Sequence, residues 1–153
     1  MVSDYRTLNT DIVKNRYPLP HIDDFLYHLN FTTYFTNMDL TFGYHQVQMV
    51  ATETLKNTFK TNFGLYQWMV MPFGLTYTPA TFMRLINDIF IDHLGNIVVI
   101  YLDDVLVFSK TWAEHPHRAC KVLNLLCTHN LQVKEHKYSF DQVLVHYLVF
   151  IID

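Results

Sequence analysis

The chain has 153 residues, of which 50% are apolar, 16% aromatic and 16% charged, with a formal net charge of -3. That length holds one domain of ordinary size, and the composition is too apolar and too weakly charged for a disordered or coiled-coil chain. The acidic balance gives no long-range attraction to a phosphate backbone, two cysteines cannot build a disulfide scaffold, and no apolar run approaches the ~20 residues of a membrane-spanning helix.

The polar start (Met1, Val2, Ser3, Asp4, Tyr5, Arg6) does not read as a signal peptide, so an intracellular, cytoplasmic or nuclear protein with no membrane partner is expected. Tyr17-Pro18-Leu19-Pro20 forces an extended entry, because each proline fixes its own φ and restricts the residue before it. A short helix is expected over 22–29, then a mainly apolar strand over 34–40. Segments 57–62 and 65–70 flank Gly64 and are rich in β-branched and aromatic residues, which predicts a hairpin. Thr78 is the expected N-cap of a helix with Pro79 in its first turn. Phe82, Leu85, Ile86, Ile89 and Phe90 then recur at helical spacing until Gly95.

The apolar runs 97–102 and 105–108 predict a buried hairpin with Asp103 and Asp104 at its turn. A second helix is expected over 115–129, starting near Pro116 and burying Ala119, Val122, Leu123 and Leu126. Cys120 and Cys127, two turns apart on that helix, read as reduced thiols packed in a core or groove. The tail over 131–152 predicts two or three short strands. Strands interleaved with two helices in this order predict an α+β fold, with helices on one face of a mainly antiparallel sheet in a split βαβ arrangement.

Two adjacent carboxylates between apolar strands lose hydration and repel each other, so something must compensate. Exposure at a loop tip is one solution and a divalent cation the other. Asp39 ends the 34–40 strand, and its meeting with the hairpin would gather three acids. Such a cluster can hold two magnesium ions ~3.5–4 Å apart, which clamp the attacking and leaving oxygens of a phosphoryl displacement. A rival zinc reading would use His115, His117, Cys120 and Cys127, but their spacing fits no paired-ligand pattern. His45 reads as a local hydrogen-bonding residue. Lys134 and Lys137 read as solvated strand-end cations, with phosphate contact as the alternative.

Tyr101-Leu102-Asp103-Asp104 resembles the aromatic-x-Asp-Asp hairpin of reverse transcriptases. The surrounding blocks resemble the gypsy-type long-terminal-repeat retrotransposon branch: Asp4-Tyr5-Arg6-Thr7-Leu8-Asn9, Tyr17-Pro18-Leu19-Pro20, Met38-Asp39-Leu40, Gly43-Tyr44-His45-Gln46, Met71-Pro72-Phe73-Gly74-Leu75, Pro79-Ala80-Thr81-Phe82 and Glu114-His115. They stand in family order from residue 4 to about 150. The resemblance implies a single domain fragment over 1–153 of a Pol polyprotein reverse transcriptase, with 1–35 and 50–78 fingers-like and 36–49 and 79–153 palm-like. Thumb, connection and RNase H regions, and the family's upstream basic fingers residues, would lie outside it.

By matching position, the resemblance implies that Asp39, Asp103 and Asp104 are the catalytic, metal-binding aspartates, with Asp39 and Asp103 holding both ions and Asp104 less directly engaged. The ions would be magnesium, or manganese in their place. Tyr44 matches the family's steric gate against a ribose 2′-hydroxyl. Leu40, Phe42 and Gly43 would present backbone N–H groups to the triphosphate, and Phe73 and Gly74 would line the nucleotide pocket and template. The implied partners are a primed RNA or DNA template, deoxynucleoside triphosphates and the remaining Pol domains.

The sequence departs from the family pattern at Phe42, at Tyr77-Thr78, at Met83 in place of glutamine, at Pro116, at Tyr138 in place of cysteine, and at Leu148-Val149-Phe150 in place of a Leu-Gly-His turn. These departures support an alternative expectation, a catalytically inactive retrotransposon-derived remnant serving as a binding or interaction domain.

Overall fold

A computed structural model of the chain describes residues 5–11, 17–18, 27–40, 43–134, 139–142, 145–147 and 150–152. Within them the apolar stretch around Leu102-Asp103 folds back on itself. It forms strands β4 (Val98–Tyr101) and β5 (Asp104–Ser109), paired from Val98↔Val107 to Tyr101↔Asp104. Strand β1 (Tyr34–Asp39) lies antiparallel along the other edge of β5, from Tyr34↔Ser109 to Asp39↔Asp104.

Strand β2 (Thr58–Thr61) and β3 (Gly64–Gln67) form a separate hairpin, as do β7 (Val145–Tyr147) and β8 (Phe150–Ile152), whereas β6 (Ser139–Gln142) adds to β1. The helices are α1 (Arg6–Asp11), α2 (Ala51–Thr54), α3 (Thr78–Phe90) and α4 (His115–Thr128), with 3-10 turns at Gly43–Gln46 and Leu55–Asn57. The four-stranded sheet has the order β4-β5-β1-β6. With α3 leading from β1 to β4 and α4 from β5 towards β6, this is the expected split βαβ arrangement of an α+β fold. No helix among the described residues is long and apolar enough to cross a membrane.

Side chains alternate across a strand, so the sheet has two apolar faces. Met38, Leu40, Val98, Ile100, Val105 and Val107 share one core with Phe82, Ile86 and Phe90 of α3 and Val122 and Leu126 of α4. Phe35, Val99, Leu106 and Phe108 pack on the other face with Leu29 and Tyr147. Both helices therefore sit on one face. Fully burying each such side chain stabilises by about 1.5–3 kcal/mol.

Several boundaries shift for local reasons. Thr78 is the first residue of α3 and not its cap: Tyr77 stands at the N-cap position, its side chain making no capping bond, and Thr78 Oγ1 donates to the Pro72 carbonyl at 3.2 Å. After α3 ends at Phe90 the chain turns, and Gly95 at φ 71° donates its N–H to the Val98 carbonyl at 2.9 Å. That positive φ favours glycine, and a Cβ there would also lie 2.8 Å from the exposed His28 ring, which would have to move. Strand β1 stops at Asp39, and Leu40 continues as a lone bridge to Val133. Cys120 and Cys127 are free but exposed, which overturns their expected packing: they lie away from the face of α4 that buries Ala119, Val122 and Leu126. Of the helix expected over 22–29 only 27–29 are described, and these are helical. Phe42, Tyr138, Leu148 and Val149 lie outside the described residues, as do Leu19, Pro20 and Lys137.

Helix α4 is fastened to the sheet by a polar contact in the interior. His115 is fully buried, with Nε2 2.9 Å from Thr36 Oγ1 on β1 and Nδ1 2.9 Å from Ser109 Oγ on β5. Ser109 Oγ also donates to the Thr111 carbonyl at 3.1 Å. With that hydrogen committed, the network assigns Nδ1 as donor to Ser109. His115→Leu keeps the volume but strips both hydroxyls of their ring partner. The expected cost is about 1–3 kcal/mol of unfolding free energy, read from the urea midpoint at unchanged m-value.

Candidate active site

The ladder between β1 and β5 sets the positions of the acids. Directly opposed residues in an antiparallel pair project to the same face, and Asp39 is opposite Asp104. Alternation places both on the face of Phe35, Leu106 and Phe108, away from α3 and α4. Asp103 sits in the two-residue turn that closes β4 and β5, after Leu102 at φ 53°. A bulky residue in that left-handed conformation is strained by about 1–2 kcal/mol. Two bonds hold the turn: the Leu102 N–H donates to Met83 Sδ at 3.1 Å, and the Asp103 carbonyl accepts the Leu40 N–H at 2.8 Å. Met83, a departure from the family pattern, thus supplies a soft acceptor directly beneath the turn.

The Leu40 N–H thus has an acceptor within the chain, the Asp103 carbonyl. Gly43 is buried, and a Cβ added there would collide with Asp103 Oδ1 and lie 2.8 Å from Phe82 Cζ. Only the missing side chain lets the Asp103 carboxyl sit against this backbone. Phe42 falls outside the described residues.

The electrostatics follow from this crowding. Asp103 Oδ1 is buried and has no hydrogen-bond partner. Burial, then Asp39, then Asp104 push the Asp103 carboxyl up to about 6, with Lys134 pulling the other way. Burial and the neighbouring Asp103 also raise the Tyr44 phenol, and burial together with Asp104 raises that of Tyr147. The Tyr147 hydroxyl donates to the Asp104 carbonyl at 3.3 Å. Asp39 faces Lys134 instead, with Nζ 3.8 Å from Oδ1. Among the described residues no three His, Cys, Asp or Glu side chains are drawn together as ligands of one metal ion. The backbone gathers the three acids at one end of the sheet.

Hard oxygen donors suit a hard divalent cation, and the orphaned Asp103 oxygen has the chemistry of a ligand without its ion. His115 and His117 form no metal group with the exposed thiols of Cys120 and Cys127, and His115 spends both ring nitrogens on hydroxyls.

Aromatic rings wall the next part of the site. Tyr44 is half-buried and meets Phe73 and Phe82 edge-on, with centroids 5.2 and 5.3 Å apart. His45 stacks on Trp68 at 5.7 Å and meets Phe73 at 4.6 Å. Phe73 is 42% exposed, and Gly74 turns the chain at φ 98°. Tyr44, Phe73 and the Asp103 turn are thereby brought together around Gly43, whereas Gly74 lies one residue further out.

Two residues that hold the site were not singled out from the sequence. Asn9 of α1 brackets the Gly74 turn, donating from Nδ2 to the Gly74 carbonyl at 2.9 Å and accepting the Thr76 N–H at 3.0 Å. Gln46 does the same for the segment before β6: its Nε2 donates to the Gln132 carbonyl at 2.9 Å, and its Oε1 accepts the Gln132 N–H. Both stand inside the blocks that carry the family resemblance. Their partners are backbone groups 65 and 86 positions away, which no side-chain pattern marks.

The sequence pattern of the family described as reverse transcriptase (RNA-dependent DNA polymerase) matches residues 1–152. The chain is 39% identical over 152 residues to the retrovirus-related Pol polyprotein from transposon opus of Drosophila melanogaster, covering 99% of this chain and 15% of that protein. Against the Pol polyprotein from transposon gypsy of the same organism it is 35% identical with the same coverage. It is also 42% identical over 109 residues to an RNA-directed DNA polymerase homolog of Oenothera berteroana, covering 71% of this chain and 77% of that protein. The fold superposes on a foamy viral protease-reverse transcriptase, solved in complex with an RNA/DNA hybrid, with a TM-score of 0.87 at 23% identity, over 97% of this chain and 20% of that one. The chain thus spans about 15% of the length of the Pol polyproteins it matches. Family pattern, relatives and fold agree, and the chain belongs to the reverse transcriptase family.

Proposed function

We propose that the chain is the palm and part of the fingers of an RNA-directed DNA polymerase, with 36–49 and 79–153 as palm and 1–35 and 50–78 as fingers. The observation that carries this reading is the pairing of Asp39 with Asp104 beside a tight turn that holds Asp103 with a buried, unpartnered oxygen. Asp39 and Asp103 would hold two magnesium or manganese ions, with Asp104 less directly engaged. When bound, such ions supply the charge that activates a primer 3′-hydroxyl and stabilises the leaving oxygens of a deoxynucleoside triphosphate.

The chain's own residues do the positioning. The strained turn and the Leu40 N–H fix the Asp103 backbone, and Gly43 leaves its carboxyl room. Tyr44, braced by Phe73 and Phe82, presents a ring that cannot yield to a 2′-hydroxyl, which favours deoxynucleotides. Phe73 and Gly74 would line the nucleotide and template side. A primed RNA or DNA template is the macromolecular partner, the remaining Pol domains would complete the grip, and the place of work would be intracellular, cytoplasmic or nuclear. The other reading, an inactive remnant that keeps its acids by descent, draws on the Lys134–Asp39 pair.

Primer extension on an RNA template separates the two. Extension by the chain should require magnesium and fall at least about 100-fold in Asp103→Asn, the scale set by removing one group that stabilises developing charge. Equal trace extension by both proteins sinks the polymerase reading.

The carboxyl raised to about 6 also fixes a stability signature without metal. Between the ordinary carboxylate value and about 6 the folded chain keeps a proton that the unfolded chain has lost, so stability falls as pH rises through that window. Asp103→Asn should therefore raise Tm relative to wild type at pH 8 and lose that advantage at pH 4, checked by calorimetry.

Gly43→Ala would press a methyl into Asp103 and Phe82. Urea titration should show a loss of about 1–3 kcal/mol from overpacking.

A further inference from the structure

Lys134 was expected to be a solvated strand-end cation, and the fold gives it a fixed address. Its N–H donates to the Asp39 carbonyl at 2.9 Å, and the preceding Val133 bridges Leu40. Gln132, one residue earlier, is clasped through both its N–H and its carbonyl by the Gln46 amide. These contacts tie 132–134 to the chain on both sides of Gly43, and from this anchored backbone the ammonium reaches to 3.8 Å from Asp39 Oδ1.

We propose that Lys134 is the resident counter-cation of the acidic cluster: a positioning residue that draws the Asp39 carboxylate aside in the metal-free chain and must release it when a divalent cation binds. This rests on the metal-site reading above. Two observations support it. The Asp39 side chain is only 18% exposed, so its charge needs a partner, whereas that of Lys134 is 40% exposed and can swing into water. The three acids are not drawn together as ligands of one ion.

A monovalent cation at this place has two opposite effects. It relieves repulsion among Asp39, Asp103 and Asp104 while no metal is bound, and it competes with the metal for Asp39. A partly exposed ion pair is a weak competitor, which suits a group that must yield. The Lys134 side chain therefore lowers cation affinity modestly and eases the repulsion among the acids while no metal is bound.

Manganese titration of the metal-free chain at neutral pH, following free ion by electron paramagnetic resonance, tests this without any activity assay. Lys134→Met should bind manganese about two- to five-fold more tightly than wild type, the range expected for releasing one exposed ion pair. Its metal-free Tm should be lower. Lys134→Arg keeps the charge and should match wild type in both measurements. Unchanged or weaker manganese binding by Lys134→Met, with Asp103→Asn still weakening it, overturns the role of Lys134 and leaves the metal site standing. Manganese binding that Asp103→Asn does not weaken overturns the metal-site reading, and the proposal with it.

Discussion

The ladder between β1 and β5 puts Asp39 directly across from Asp104, and everything at the site depends on that register. The side-chain period of a strand is two, so a slip by one residue would send Asp39 to the helix-covered face and Met38 to the other. The hydrophobic layers forbid it. Met38 and Val105, also paired across the ladder, are both fully buried under the helices, and Phe35 and Phe108 are both buried on the opposite face. His115 adds a polar lock by joining Thr36 of β1 to Ser109 of β5 through one ring. The apolar core thus does more than stabilise the domain. It sets the positions from which charged groups project at the sheet's end.

Those charged groups work against the fold that holds them. Asp103 is crowded by two other acids and carries a buried oxygen without a partner, and its carboxyl is raised accordingly. The chain tolerates this because the turn is tied down by backbone bonds to Leu40 and Met83 and because Gly43 offers bare backbone. Strain at Leu102 and repulsion among the acids are local costs that the surrounding core must offset. A site that is unfavourable when empty gains most from a ligand of opposite charge.

Much of this was legible in the sequence. Apolar runs around Asp103-Asp104, the periodicity of 82–90 and the proline at 116 predict β4, β5, α3 and α4 within a few residues, because each signal is local. The convergence of Asp39 with the hairpin followed from the family blocks, since strand order is not written in any single window. What stayed hidden was of two kinds. The clamps made by Asn9 and Gln46 join side chains to distant backbone groups, which have no residue identity to read. The fate of Thr78 and of the Leu40 N–H depended on which acceptor lay nearest in three dimensions, and that of Cys120 and Cys127 on which face of α4 meets the sheet. Lys134 belongs to both kinds: a lysine beside a strand end looks solvated until the strand it borders is known to be the one that carries Asp39.

The account stands or falls on whether acids 64 or more positions apart in the chain share one ion. Crystals of the chain grown with manganese, measured near the metal absorption edge, answer this directly through the position of the anomalous peak. The structure predicts a peak in direct oxygen coordination with both the Asp39 and the Asp103 carboxylates, with the Lys134 ammonium turned away. A peak bound to Asp103 alone, or ordered manganese found only at other surfaces, would contradict it.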